Sequence, residues 1–202
     1  MNLMVLPSTL KALLPPAICQ FCVGELYRKN ERLFLTGMSP HWMFFVTSGE
    51  VTLQRTGLQG EAVVLQRTRI GFVSEASLNV ARYHCDAVAM TETNVIKLPV
   101  LQMRGFLERD TEFASRWISM LNSEVMRLRL HCERLSMKSV KERLLHLIQT
   151  EGKDGHFTVP SGLKTLAGEL GVTHEALYRT IADLQKKGLL YKLDGNLMLG
   201  KP

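Results

Sequence analysis

The side chains best suited to recognising another molecule lie near the C-terminal end of the chain. They are Thr173, His174, Glu175, Tyr178 and Arg179. A guanidinium can donate two parallel hydrogen bonds to guanine O6 and N7, and a carboxylate can accept one from cytosine N4. The histidine suits a phosphate or a base edge, and the tyrosine either packs on a thymine methyl or a sugar or is simply exposed. Side chains of these types could therefore make hydrogen bonds to base pairs.

Two helices joined by a tight turn are needed to present these side chains. Ser161 can cap a first helix that runs to Leu170, and Gly171 follows where a left-handed turn costs least. Thr173 can then cap a second helix that runs to Lys187. The inward face of that second helix consists of Leu177, Ile181 and Leu184. The pattern predicts a helix-turn-helix that projects side chains toward a major groove, and the alternative is an ordinary helical hairpin.

A hairpin follows the second helix. Apolar runs at Leu189–Leu193 and Leu197–Leu199 are joined through Asp194–Gly195–Asn196, which is typical of a tight turn. A further short strand is predicted at His156–Val159. The C-terminal region is therefore predicted to be a winged helix-turn-helix.

A long helix is predicted from Leu101 to Met137, where no proline occurs and no glycine follows Gly105. Its heptad pattern predicts a parallel homodimer seam with Ile118, Val125 and Cys132 at a positions and Leu121, Leu128 and Leu135 at d positions. Glu124 at g and Arg129 at the following e position would pair across the two helices. The alternative is that this stripe packs on the chain's own barrel.

The first half of the chain has the sequence pattern of short β-strands. From Glu31 to Pro99, short runs rich in β-branched and aromatic residues alternate with glycine-containing turns, as in an antiparallel barrel or jelly roll. Val51–Arg55 alternates as a strand would, and Pro15–Pro16 could begin a short helix containing Ile18, Cys19, Phe21 and Cys22. The predicted fold class is α+β: a cupin-like β-roll over 1–103, a dimerisation helix over 104–137 and a winged helix-turn-helix over 138–202.

The composition indicates a globular protein and the cellular compartment in which we expect it. The chain has 202 residues, a formal net charge of +6 and 46% hydrophobic residues, which excludes disorder and fibrous repeats. Residues 138–202 carry 10 Lys and Arg against 7 Asp and Glu, the largest basic excess along the chain. No apolar run is long enough to span a membrane, and four cysteines without a signal peptide indicate thiols. We expect a cytoplasmic protein that does not bind membranes.

The order of these elements resembles the cyclic-AMP receptor protein/FNR (Crp/Fnr) family of bacterial transcription regulators. Local marks of the resemblance are Leu33–Gly37, Ser48–Val51, the turn sequence Leu166–Thr173, and Ser139–Leu144 as hinge and first helix of the DNA-binding domain. The resemblance implies a homodimer that binds double-stranded DNA at a pseudo-palindromic site. RNA polymerase and a small-molecule effector are the further partners that it suggests.

The effector pocket is where the sequence departs from this family. The phosphate-binding turn of cyclic-nucleotide-binding members corresponds to Ser74, Glu75, Ala76 and Ser77, and their Arg–Ser pair corresponds to Tyr83 and His84. Arg82 is one residue away, and we interpret it as facing the opposite side of a strand. Without a guanidinium at that place, we expect that cyclic AMP does not bind. The effector is not identified by the sequence.

Other chemistry is poorly supported. Cys19 and Cys22 resemble the start of the FNR iron–sulfur ligand set, but the third N-terminal cysteine is missing. His84 and Cys85 are candidate haem or metal ligands, as in haem-sensing relatives, although an isolated histidine is more often structural. A cupin-like metalloenzyme needs several histidines in its barrel, and residues 31–100 contain only His41 and His84. We therefore expect no enzyme activity, no cofactor and no metal site.

Overall fold

The structure is a computed structural model that describes residues 6–57, 62–159, 162–193 and 195–200. The chain divides into two units, one covering residues 1–119 and the other residues 120–202. The division falls inside the longest helix.

The first unit begins with two short helices, α1 (Ser8–Leu13) and α2 (Pro16–Cys19). Pro15 is the N-cap residue of α2 and Pro16 occupies its first turn, where a missing N–H costs nothing. The prediction of a short helix after the two prolines is confirmed. It was wrong in extent, because the helix ends at Cys19 and therefore excludes Phe21 and Cys22.

Among the described residues of this unit, eight strands form a β-roll. They are β1 (Val23–Tyr27), β2 (Arg32–Phe34), β3 (Trp42–Ser48), β4 (Val51–Thr56), β5 (Ala62–Thr68), β6 (Gly71–Phe72), β7 (Asp86–Ala89) and β8 (Thr93–Pro99). They pair into two four-stranded antiparallel sheets with the orders β1-β8-β3-β6 and β2-β7-β4-β5. The predicted α+β class with an N-terminal β-roll is confirmed.

Side chains from both sheets share one core. Phe44, Val46 and Val95 come from the first sheet, and Phe34 and Leu53 from the second. The strand expected at Val51–Arg55 is present as β4, and Thr52 is buried like its neighbours Val51 and Leu53. Both faces of the sheet are covered at that end of β4.

The long helix expected from Leu101 to Met137 is two helices, α3 (Val100–Arg109) and α4 (Thr111–Ser136). Asp110 between them is extended, with φ −110° and ψ 97°. Its N–H donates to the carbonyl of Phe106, and its Oδ1 accepts from the N–H of Phe113 at 2.9 Å. Asp110 therefore ends one helix and caps the next, as aspartate does at helix starts.

The first turns of α4 belong to the β-roll unit. Phe113 and Trp117 are buried, and the ring centroid of Trp117 lies 5.2 Å from that of Phe72 on β6. Further along, α4 carries an ion pair between Glu124 and Arg127 at 2.6 Å. Glu124, expected to pair across a dimer with Arg129, is thus engaged within its own helix.

The second unit contains a three-helix core and a small sheet. Its elements after α4 are α5 (Val140–Glu151), β9 (His156–Thr158), α6 (Gly162–Glu169), α7 (His174–Lys186), β10 (Leu190–Leu193) and β11 (Asn196–Leu199). The three strands are antiparallel in the order β10-β11-β9. The expected helix pair, hairpin and additional strand are all present.

Capping residues fix the ends of these helices. Ser139 and Glu142 form a capping box at the start of α5, each accepting the other's backbone N–H. Gly171 after α6 has φ +63°, the left-handed conformation expected there. Ser161, expected to cap α6, and Asp194 of the hairpin turn lie outside the described residues.

Candidate nucleic-acid interface

The second helix of the predicted motif, α7, has one buried and one exposed face. Thr173 caps it, because the Thr173 hydroxyl accepts the N–H of Ala176 at 3.2 Å. The buried face is Leu177, Ile181 and Leu184, as predicted. Glu175, Tyr178 and Arg179 are exposed and His174 is half-buried. The five expected recognition residues therefore lie together around the first two turns.

Glu175 has a specific environment at the start of α7. Its pKa is lowered, first by the hydrogen bond from its own backbone N–H and then by one from the Thr173 hydroxyl. A carboxylate at this place also interacts favourably with the positive end of the helix dipole. The side chain would have to turn outward before it could accept from a cytosine.

Tyr178 contacts two neighbours. The His174 ring lies edge-on to it, with centroids 4.3 Å apart, as the four-residue spacing along a helix allows. On another side, Lys192 Nζ of β10 lies 5.9 Å from the Tyr178 ring centroid. Lys192 was not among the expected site residues. Its signal in the sequence is the alternation of β10, which places it on the same side as Leu190.

Arg143 of α5 binds the turn between the two helices of the motif. Its Nη1 donates to the carbonyls of Leu170 at 2.8 Å and Gly171 at 3.3 Å, and its Nε donates to Met137 at 3.0 Å. Carbonyls at helix ends attract a cation. The turn that sets the angle of α7 is thereby attached to the segment just after α4.

A second arginine holds the C-terminal part of α4 against α5. Arg134 is only 3% exposed, and its guanidinium pairs with Glu151 and lies 3.4 Å from the Thr150 hydroxyl. Nearby, burial and the charge of Arg134 lower the pKa of His131. The side chain of His146 lies 3.5 Å from Glu133.

The expected phosphate-binding turn of the β-roll is a short 3₁₀ helix, Glu75–Ser77. Ser74 and Ser77 are buried, and Glu75 is half-buried. The Ser74 hydroxyl accepts the N–H of Phe44 at 3.2 Å. Ser74 thus connects this turn to β3.

Tyr83 is a core residue of the β-roll. Its ring stacks on Phe34 with centroids 3.8 Å apart, and its hydroxyl donates to the carbonyl of Trp42 at 2.6 Å. Burial raises the pKa of Tyr83 to about 12. Its side chain therefore packs in the interior of the roll.

Arg82 and His84 on either side of Tyr83 are exposed. Arg82 Nη1 donates to the carbonyl of Gly37 at 2.7 Å, and the carbonyl of His84 accepts from Arg55. The expectation that these residues lie on a strand was wrong, because β7 begins only at Asp86. Arg82 instead joins two loops through its hydrogen bond to Gly37.

The side chains of the predicted dimer seam are accessible on the single chain. Ile118, Val125, Leu128, Cys132 and Leu135 are exposed and Leu121 is half-buried. The face of α4 that contacts the β-roll uses Phe113 and Trp117 instead.

The four cysteines are free thiols. Cys85, expected on a strand, lies one residue before β7 and is buried. Burial, together with the neighbouring Cys19, raises the pKa of Cys22 to about 11. Within the described ranges, no three His, Cys, Asp or Glu side chains group closely enough to hold a metal ion.

No helix in the described part of the chain is long and apolar enough to cross a membrane.

Comparison with known proteins gives consistent results. Residues 25–110 match the cyclic nucleotide-binding domain family. The global nitrogen regulator of Nostoc sp. is 21% identical over 192 residues, covering 89% of this chain and 86% of that protein. A Silicibacter pomeroyi structure, provisionally described as a cAMP-binding regulatory protein, is 25% identical with a TM-score of 0.60, covering 95% and 90% of the two chains.

A third relative has the same fold. A CRP-family transcriptional regulator from Thermus thermophilus is 19% identical with a TM-score of 0.57, covering 88% of this chain and 92% of that one. Residues 25–110 therefore match the cyclic nucleotide-binding domain family, and the chain is similar over most of its length to transcription regulators of the Crp/Fnr type.

Proposed function

We propose that this chain is a sequence-specific DNA-binding transcription regulator that acts as a homodimer and is not an enzyme. The observation that carries the proposal is the exposed N-terminal face of α7, held by a capped, glycine-turned helix-turn-helix. Recognition helices of this motif contact base edges with their N-terminal residues. Arg179 is the base-reading donor, and Thr173, His174, Glu175 and Tyr178 complete the recognition surface.

Three consecutive segments of the chain have different roles in this proposal. Residues 1–103 form the sensor domain, 104–137 the dimerisation segment and 138–202 the DNA-binding domain. Pairing along the exposed α4 seam would present two recognition helices to half-sites about one helical turn apart. The protein acts in the cytoplasm, with RNA polymerase as a further partner.

The sensor domain of this proposal does not use cyclic AMP. Tyr83 fills the core beside the short 3₁₀ helix, and Arg82 is engaged by a loop carbonyl. A phosphate taken into this region would lack a guanidinium and would be poorly compensated. In this proposal the sensor domain binds an effector of different chemistry or binds no effector.

The test is selection of DNA from a random pool by the full-length protein. The expected outcome is enrichment of a pseudo-palindromic sequence, with binding that weakens steeply as salt is raised. Enrichment of no sequence, or retention of DNA without any sequence preference, would overturn the proposal.

A further inference from the structure

The β10–β11 hairpin, called the wing here, contacts the recognition helix α7 through a polar side chain. Along β10, Leu190 is buried in the core of the unit, and Lys192 lies two residues further on the same side of the strand. That side faces α7, since Leu190 shares its cluster with Leu177 and Ile181. The strand therefore directs the Lys192 stem toward the recognition helix.

The Tyr178 ring contacts the Lys192 ammonium. The Lys192 ammonium lies over the face of the Tyr178 ring at 5.9 Å, within the range at which a ring attracts a cation. His174 supports the same ring edge-on. Tyr178 is nonetheless 47% exposed, so its neighbours orient it without covering it.

We propose that Tyr178 is a positioning residue whose ring holds the ammonium of Lys192 beside α7, where that ammonium contacts a DNA phosphate next to the bases read by Arg179. This inference rests on the DNA-binding function proposed above. It assigns to the wing a role in affinity and to Tyr178 a role exercised through Lys192.

A phosphate is the chemistry that suits Lys192. A lysine ammonium is a compact point charge on a flexible stem and has no planar pair of donors for a base edge. Phosphate contacts fix the register of a protein on DNA without reading its sequence. An exposed lysine on a freely moving stem loses side-chain entropy on binding, and the ring reduces that loss.

The experiment measures binding by the full-length protein to the DNA that it selects and to a scrambled duplex, over a series of salt concentrations. Lys192→Gln should weaken binding to both duplexes by the same factor. It should also make the slope of log affinity against log salt concentration shallower by about 0.9 for each α7 that is bound to DNA. Tyr178→Leu should weaken binding by about two- to fivefold, the contribution of an exposed cation–ring contact. Tyr178→Phe, which keeps the ring, should bind like the unchanged protein.

The coupling between the two substitutions is decisive. Tyr178→Leu should have little effect once Lys192 is already Gln. The matched control is Lys186→Gln at the other end of α7, about 18 Å from His174 along the helix. In that background Tyr178→Leu should keep its full effect.

Two results would overturn the inference. Tyr178→Leu could weaken binding equally with and without Lys192, or it could change the sequence that is selected, which would make Tyr178 a base-reading residue. Both results leave the DNA-binding function intact. If the unchanged protein enriches no sequence, the proposed function fails and the inference fails with it.

Discussion

The guanidinium of Arg143 lies 2.8 Å from the carbonyl oxygen of Leu170, the last buried residue before the turn of the helix-turn-helix. The same side chain donates to Met137 just after α4. One cation thereby connects two chain segments that are far apart in the sequence. The position of α7 depends on this connection, because Gly171 leads directly into its cap.

Arg143→Met should therefore destabilise the second unit. The substitution keeps an apolar stem of similar length but removes every donor, and hydrogen bonds from a charged group are worth about 1.5–3 kcal/mol. Urea unfolding should show a loss of that size. Lys141→Met on the exposed side of α5 is the control, and equal losses from both variants would contradict the assigned role.

Arg179→Ala should cost about 1–3 kcal/mol of binding to the selected sequence and relax the preference for one guanine. Arg179→Lys keeps the charge but not the paired donors, so it should relax the same position. Equal loss on selected and scrambled duplexes would exclude Arg179 from base reading. Competition binding with both duplexes at fixed salt provides the measurement.

Leu128→Asp should dissociate the homodimer. Two like charges would face each other at a d position, where apolar contacts are expected to supply the association. Met126→Asp makes the same chemical change at an exposed b position of α4 and should leave the dimer intact. Sedimentation equilibrium distinguishes the two, and an intact Leu128→Asp dimer would show that the heptad register is wrong.

Cyclic AMP should neither bind at micromolar concentration nor tighten DNA binding. The reason is the buried Tyr83 ring and the absence of a phosphate-binding arginine at that place. Titration calorimetry, paired with DNA affinity measured with and without the nucleotide, tests both parts. A tenfold tightening, about 1.4 kcal/mol of coupling, would contradict this expectation.

Asp86 should make the stability of the β-roll depend on pH in the acid range. Its Oδ1 accepts from the N–H of Thr36 at 2.7 Å, and this hydrogen bond lowers the pKa of Asp86. Because the folded pKa lies below the unfolded one, the stabilisation is present above about pH 4 and is lost as the pH falls through the lowered value.

The comparison for this effect is Asp86→Asn, which keeps an acceptor oxygen but does not titrate. The difference in unfolding free energy between the two proteins should shrink as the pH is lowered from about 6 to about 3. Glu92→Gln, on an exposed turn, serves as the control. A difference that stays constant across this range would remove Asp86 as the origin.

Much of the fold could be predicted because local signals and tertiary structure agree. Thr173 and Gly171 mark helix ends by their own chemistry, and the glycine-containing turns of the first half separate its strands. The break at Asp110 was missed because an aspartate cap inside an unbroken apolar period leaves no glycine or proline as a marker. A capped break of this kind depends on hydrogen bonds to Phe106 and Phe113 that the periodicity does not encode.

The surroundings of the site residues were less predictable for a different reason. The burial of Tyr83 is set by Phe34 on β2 and Trp42 on β3, and the contact of Lys192 with Tyr178 joins a strand to a helix. Neither is visible from spacing within one element. The outward face of α7 was predictable, since it follows from the positions of Leu177, Ile181 and Leu184 alone.

The ion pair between Glu124 and Arg127 bears on the choice of partner by α4. In coiled coils, charges at e and g positions select one partner and reject others. Here the g-position carboxylate is already neutralised within its own chain, so little charge selectivity is left along the seam. In the proposed homodimer, association would then depend mainly on apolar contacts, and a related chain with a similar stripe could form mixed dimers with this one.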